Sequence, residues 1–219
     1  MKKSIYLLGI ILLPFCAISQ VKFGVQGGFA LSKTDMNNTF SDLTINYKLG
    51  PLAGVMVGVN LGESNFSLMQ ELNLVFKGAK IKGTDNSQGT PVPVEGSHTT
   101  RYIEFPLNLL FYMPSGKGHF FFGAGPYGAL GIGGNNKFMY YSGSSPEAED
   151  VSVKFGSGTD QLKKFDFGVH GLLGYKLGYG SYVKAFYSHG LANLTNIEGL
   201  NYANRYFGLS FGYFFGSGR

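Results

Sequence analysis

Apolar and polar side chains alternate with a period of two along most of the chain after residue 20. Eight segments show this alternation, each with mainly Phe, Leu, Val, Ile or Tyr on one face and small or polar residues on the other. Such alternation is typical of β-strands whose two faces meet different surroundings. The eight segments are residues 21–31, 49–61, 66–80, 100–113, 119–132, 162–177, 181–191 and 205–215.

The connections between these segments are alternately long and short. The long, polar ones are residues 32–48, 81–99, 133–161 and 192–204, and the short ones are residues 62–64, 114–118 and 178–180. Outer-membrane barrels have an even number of strands, short periplasmic turns and longer outer loops. We therefore expect an all-β fold, an eight-stranded antiparallel up-and-down transmembrane β-barrel of the outer-membrane type, with long loops outside and both termini periplasmic.

The composition agrees with a barrel whose exterior is apolar. The 219 residues include 34 Gly, 20 Phe and 14 Tyr, and only 14% are charged. Disordered chains have few aromatic residues and a high net charge, which is the opposite balance, and the glycines lack the three-residue period of collagen. An eight-stranded barrel has an interior just wide enough for side chains, so inward glycines would leave room for Tyr rings and for long Lys and Glu stems.

The first 19 residues have the layout of a secretory signal peptide. Two lysines precede an apolar run at residues 5–18, which is shorter than the roughly 20 residues of a spanning helix. Ala17 and Ser19 stand at positions −3 and −1 of a cleavage site. We therefore predict a signal peptide over residues 1–19 and a single barrel domain over residues 20–219.

Cleavage at that site removes the only cysteine, Cys16, and two of the 18 basic residues. The alternatives are a retained membrane anchor and a lipoprotein anchored at Cys16, and the bulky Phe15 before Cys16 disfavours the second. The mature chain would keep 16 basic against 13 acidic residues. These residues are scattered instead of forming a basic block, so the charge predicts no nucleic-acid partner.

Several charged residues fall on the polar face of the predicted strands. In a narrow barrel they would lie in the lumen, where charge persists only when it is paired and hydrogen-bonded. We therefore predict a structural polar network in the lumen, and a conducting path or a catalytic site is the alternative use of the same groups. The predicted network residues are Glu71, Lys77, Glu104, Lys164, Asp166, His170 and Lys184, with Lys176 on the same face.

Six stretches resemble strands of the small outer-membrane β-barrel proteins of Bacteroidetes, known as PorT-like or "porin family" barrels. They are QEL at residues 70–72, KGA at 77–79, RYIEFPLNLLFY at 101–112, FGAGPY at 122–127, FDFGVHGLLGY at 165–175 and YSHGL at 187–191. The resemblance implies a monomer in outer-membrane lipid. It also implies insertion by the barrel assembly machinery, with YFGLSFGY at 206–213 as the insertion signal, and raises a link with type IX secretion.

No motif indicates catalysis, a cofactor or a metal ion. A G-x-G-x-x-G pattern at residues 123–128 continues into a Gly-rich apolar strand, whereas a dinucleotide site needs a helix there. The four histidines lack paired metal-ligand spacing. Asp166, His170 and Ser188 share the inner face, but Asp166 and His170 are about 13 Å apart along a strand, which is too far for a catalytic triad.

The sequence therefore predicts a structural or interaction protein rather than an enzyme. We expect it to act through its long loops or its periplasmic turns, on secretion or envelope proteins that the sequence does not name. The loop at residues 133–161 combines Tyr140 and Tyr141 with acidic residues, and long loops on rigid scaffolds often carry binding. The alternatives are a small passive channel, an outer-membrane enzyme, and a soluble lipocalin-like barrel with an apolar inside.

Overall fold

The structure, a computed structural model, describes residues 21–36, 44–85, 92–140 and 147–215. The predicted signal peptide lies outside the described residues. Within them the chain forms nine β-strands, and no helix is long and apolar enough to cross a membrane. The strands are β1 (Val21–Met36), β2 (Thr44–Asn60), β3 (Phe66–Asp85), β4 (Val92–Ser115), β5 (Gly118–Tyr140), β6 (Glu147–Ser152), β7 (Phe165–Leu177), β8 (Ser181–Gly190) and β9 (Tyr202–Phe214).

Eight of these strands pair in a closed antiparallel ring. Neighbours along the chain are paired, except that β7 pairs with β5, and β9 closes the ring on β1. The short β6 pairs with the far part of β5, from Asn135 to Tyr140. The predicted antiparallel barrel is therefore confirmed, and β6 is a ninth strand inside the segment that we expected to be a loop.

The two ends of the ring differ. Tight turns at residues 61–65, 116–117 and 178–180 join the strands at one end, where β1 also begins and β9 ends. We call this the short-turn end. The other connections lie at the opposite end, which we call the long-loop end.

The outward faces of the ring form a continuous apolar belt. Phe165, Leu173 and Phe211 are 71%, 65% and 61% exposed, which is unusual for a protein surrounded by water. Along β4 the belt runs from Ile103 to Met113, which is about 34 Å of strand and about 25 Å of height for a usual tilt. This arrangement is the reverse of a soluble lipocalin-like barrel.

The strands continue well past the belt at the long-loop end. We expected β3 to end at residue 80 and β4 to begin at residue 100, but their pairing continues to Asp85 and Val92. Outside a membrane both faces of a strand meet water, so the alternation disappears although the backbone pairing persists. The predicted loops are therefore too long, and much of their sequence is strand.

Inside the ring, large aromatic side chains lie over glycines of the neighbouring strand. A Cβ atom on Gly208 would stand 2.1 Å from the ring of Phe186, its registered partner. Three other registered pairs repeat this arrangement, so glycine supplies the space that each ring occupies. They are Gly168 with Tyr127, Gly174 with Phe121, and Gly212 with Tyr182.

We predict that Gly208→Val lowers the free energy of unfolding by about 1–3 kcal/mol, the usual cost of overpacking a filled interior. The added side chain would have to displace the Phe186 ring. The measurement is urea unfolding from phospholipid vesicles, followed by the change in gel migration. Gly171→Val is the matched control, because a Cβ atom at Gly171 meets no atom within 4 Å. Equal stability of the two variants would contradict the prediction.

Candidate functional site

The lumen holds two clusters of buried ionic groups. Six of the seven predicted network residues are at most 3% exposed. Five of these six, all except His170, divide into a Lys77 cluster nearer the long-loop end and a Glu71 cluster nearer the short-turn end. The Lys77 cluster contains Lys77, Glu104, Asp166, Asn204 and Tyr206, and the Glu71 cluster contains Glu71, Lys184, Gln26 and Asn73.

In the Lys77 cluster one ammonium group faces two carboxylates. Lys77 Nζ lies 2.6 Å from Glu104 Oε2 and 3.4 Å from Asp166 Oδ2. Tyr206 donates its hydroxyl proton to Glu104, and Asn204 Nδ2 donates to Asp166 Oδ2 at 2.9 Å. The carboxylates therefore have both charged and neutral partners, as buried charges require.

Three tyrosine rings surround the same ammonium group. Lys77 Nζ lies 4.9, 5.1 and 4.7 Å from the ring centres of Tyr102, Tyr127 and Tyr206. These distances are within the range of cation–π attraction. The rings also fill the lumen around the cation, so this level of the barrel is occupied by side chains.

In the Glu71 cluster the Lys184 ammonium pairs with Glu71 Oε1. The other carboxylate oxygen accepts hydrogen bonds from Gln26 Nε2 at 2.6 Å and from Asn73 Nδ2 at 2.9 Å. Tyr182 in turn donates to Gln26 Oε1 at 2.9 Å. Glu71 is thus held by side chains of β1, β3 and β8.

Both clusters bridge opposite walls of the barrel. In the ring order, β3 lies three strands from β7 and four strands from β8. The Lys77–Asp166 pair joins β3 to β7, and the Glu71–Lys184 pair joins β3 to β8. Each pair is therefore a crossbar through the lumen.

His170 and Ser188 are brought together, but no catalytic triad forms with Asp166. His170 Nδ1 lies 2.8 Å from Ser188 Oγ, and its ring stacks on Phe186. Asp166 is engaged by Lys77 and Asn204 instead. His170 and Ser188 are also buried in the filled interior, where a substrate has no access to them.

Lys164 does not lie in the lumen, so its predicted place is corrected. It is exposed and precedes the first residue of β7, so the strand alternation that placed it inward does not reach it. Lys176 is partly buried at the short-turn end, with its ammonium 5.4 Å from the Phe214 ring. Neither lysine belongs to the two clusters.

The neutral members of the clusters were not singled out from the sequence. Gln26, Asn204 and Tyr206 are buried and donate hydrogen bonds to the carboxylates. Two of them, Gln26 and Tyr206, lie at positions that the period-two alternation assigns to the inner face. That alternation is the sequence signal from which their burial could be predicted. Asn204 lies beyond the predicted start of the last strand, so the pattern did not reach it.

A second ordered region caps the long-loop end. Asn196 Nδ2 donates to the carbonyl oxygens of Gly156, Gly158 and Gln161, each at 3.0 Å. Lys163 N donates to Leu194 O at 2.7 Å. These bonds join the segment before β7 to the segment before β9, and we call the joined residues 153–163 and 191–201 the Asn196 clamp.

His98, which we expected in a loop, lies on β4 beneath this clamp. It is buried, its Nδ1 pairs with Asn136 Oδ1, and its Nε2 lies 2.6 Å from the Tyr202 hydroxyl. It stands beyond Arg101, where the belt ends on β4. Burial lowers the pKa of the imidazole below its ordinary value, and the Lys48 ammonium acts in the same direction.

Among the described residues, no group of three or more His, Cys, Asp or Glu side chains is placed to hold a metal ion.

A family model described as "Outer membrane protein beta-barrel domain" matches residues 16–196. The chain belongs to this family. The apolar belt of this outer-membrane β-barrel domain therefore lies in the outer membrane. No curated protein matches its sequence significantly.

This domain is similar to solved structures of outer-membrane barrels. Neisserial surface protein A is 11% identical, with a TM-score of 0.43 over 89% of this chain and 99% of that one. OprG from Pseudomonas aeruginosa is 12% identical, with a TM-score of 0.46 over 90% and 97%. The outer membrane protease OmpT from Escherichia coli is 10% identical, with a TM-score of 0.36 over 91% and 98%.

We predict that Lys77→Met lowers the free energy of unfolding by about 3–5 kcal/mol, because it leaves two buried carboxylates without their cation. Lys82→Met is the matched control. The Lys82–Glu95 pair has a similar length, 2.8 Å, but both side chains are at least half exposed, so its loss should cost at most about 1 kcal/mol. Urea unfolding from vesicles measures both changes. A Lys77→Met protein as stable as the Lys82→Met protein would overturn this assignment.

Proposed function

We propose that the protein is a non-conducting outer-membrane barrel that acts as a rigid support for the structured long-loop end. The observation that carries this proposal is the pair of ionic crossbars through the lumen, Lys77–Asp166 and Glu71–Lys184. Each is fully buried and surrounded by Tyr or Phe rings. A barrel filled in this way gains rigidity but offers no open path.

The alternative functions are less well supported. A passive channel needs a continuous water path, which the crossbars and the rings of Tyr102, Tyr127 and Tyr206 interrupt. An enzyme needs reactive groups that a substrate can reach, and the His170–Ser188 pair is enclosed. We therefore infer a structural or interaction role without catalysis.

The stretches that resemble PorT-like barrels supply residues to both faces of the ring, and Phe165 and Leu173, for example, lie on the apolar belt. The similar stretches lie on strands that supply Lys77, Glu104, Tyr127 and Asp166. They therefore support a shared way of filling the lumen. The link with type IX secretion that the resemblance raises would need a shared partner-binding surface in addition.

We propose that the long-loop end faces outward. The exposed residues that border the belt at this end include Arg101, Lys164 and Arg205, which suit the phosphate groups of an outer leaflet of lipopolysaccharide. At the short-turn end the exposed charged residues among the described ones are Glu63 and Lys117, and Lys22 and Lys176 are half-buried. The proposed partners in the membrane are therefore anionic lipid and, for insertion, the barrel assembly machinery.

We also propose that the barrel is a monomer. The ring is closed, so all eight of its strands are paired on both sides. A closed ring presents no strand edge within the membrane for pairing with a second copy.

We predict that the purified protein in planar bilayers gives no stepwise conductance, because the crossbars close the lumen. A 16-stranded porin, which has a water-filled channel, is the positive control in the same bilayer. Steps of current from the folded protein would refute the non-conducting proposal.

Labelling of single-cysteine variants on intact cells tests the orientation. An impermeant maleimide should label Val151→Cys, at the exposed long-loop end, and should label Glu63→Cys only after the outer membrane is permeabilised. The predicted loss of Cys16 with the signal peptide removes background labelling. The opposite pattern would show that the short-turn end faces outward.

A further inference from the structure

A cavity of about 420 Å³ opens at the long-loop end, above the filled lumen. Its volume is within the range of pockets that hold small molecules, about 300–1,000 Å³. Aliphatic and aromatic side chains from four separate segments form most of its wall. The apolar lining residues include Ile81, Phe138, Val151, Val153, Ile197 and Leu200.

The walls of this cavity are held in place before any ligand arrives. Val153 and Ile197 belong to the two halves of the Asn196 clamp, which three side-chain hydrogen bonds join. Val151 lies on β6, which is paired with β5. A pre-formed apolar pocket binds without the cost of ordering loops.

The polar side chains at the floor of the cavity bond to one another. Thr34 Oγ1 lies 3.4 Å from the Tyr202 hydroxyl, which lies 2.6 Å from His98 Nε2, and Asn136 Oδ1 accepts from His98 Nδ1. This series of hydrogen bonds places the proton of the neutral His98 imidazole on Nδ1. These floor side chains are therefore uncharged, although the Lys48 ammonium lies 3.4 Å from the His98 carbonyl oxygen, and they leave little hydrogen-bonding capacity to recognise a strongly polar molecule.

The rim of the cavity carries one charge. Among the described lining residues, Asp160 alone is formally charged, and it is exposed. An anionic ligand would meet this carboxylate with no cation on the lining to offset it. A neutral or cationic head group faces no such repulsion.

We propose that this cavity binds small amphipathic molecules with an aromatic or branched apolar body and a neutral or singly cationic head group. The body would contact the apolar wall, and the head would lie at the rim near Asp160. The inference deepens the proposed function, since it gives the supported long-loop end a ligand class.

The test uses the absence of tryptophan from the chain. Phe138→Trp places a single indole in the cavity wall, and Met139→Trp places one on the opposite face of the same strand, where the side chain is exposed. The probes are 4-bromobenzyl alcohol, 4-bromobenzylamine and 4-bromobenzoate. Their bromine quenches indole fluorescence, and they differ mainly in the charge of the head group.

We expect saturable quenching of Trp fluorescence in the Phe138→Trp protein by the alcohol and the amine, and only linear, collisional quenching in the Met139→Trp protein. The benzoate should bind at least about fivefold more weakly than the amine, as expected for one exposed charge pair. Adding Val153→Phe to the Phe138→Trp protein should abolish the saturable quenching, because the larger side chain fills the cavity. Adding Asp160→Asn should reduce the difference between amine and benzoate while leaving the alcohol unchanged.

Linear quenching by all three probes in a folded Phe138→Trp protein would overturn the proposal, and so would tightest binding of the benzoate. Gel migration of the heated and unheated protein checks the fold of each variant. The failure of the ligand proposal is distinguishable from that of the proposed function. Non-saturable quenching without bilayer current rejects only the cavity, whereas bilayer current with saturable quenching rejects only the closed lumen.

Discussion

Closure of eight strands into one ring is the constraint on which the rest of this structure depends. A ring of this size has an interior only as wide as its own side chains. Long inward side chains can therefore reach the opposite wall, and the total inward volume is limited. Glycines beneath the rings of Phe121, Phe186 and Tyr182 keep the interior within that limit.

The same closure determines how the interior charges are arranged. A buried ammonium or carboxylate is costly without a partner, and the narrow lumen brings the partner within reach from the other side. Both Lys77 and Glu71 lie on β3. Lys77 pairs with Asp166 on β7, and Glu71 pairs with Lys184 on β8. Neutral donors such as Asn204 and Gln26 add hydrogen bonds to Asp166 and Glu71.

The fold could be predicted because lipid and lumen impose opposite requirements on alternate residues. The alternation placed Glu71, Lys77 and Glu104 on the inner face, where the structure has them. The specific pairs could not be predicted, because a period of two gives the face of a residue and not its height or its partner across the ring. Lys164 was misplaced for a related reason, since the alternation says little about where a strand begins.

The region beyond the membrane was less predictable for a physical reason as well. Water accepts either face of a strand, so β6 and the far parts of β3, β4 and β5 carry no alternating signal. His98 was therefore expected in a loop, although it is buried on β4 beside Tyr202. The cavity above it depends on Asn196, whose three acceptors are main-chain carbonyl groups that no side-chain pattern reveals.

The glycine and ring pairs have a consequence for how such a barrel can change over evolutionary time. The glycine opposite Phe186 can acquire a side chain only if Phe186 is replaced by a smaller residue earlier or at the same time. Phe186 can be replaced by a smaller residue only if another side chain fills the space. Single steps at either position pass through a less stable protein. The two members of each pair should therefore be inherited as a unit. In related barrels the glycine and the aromatic residue of a pair should be able to swap strands, while the combined volume of the pair stays the same.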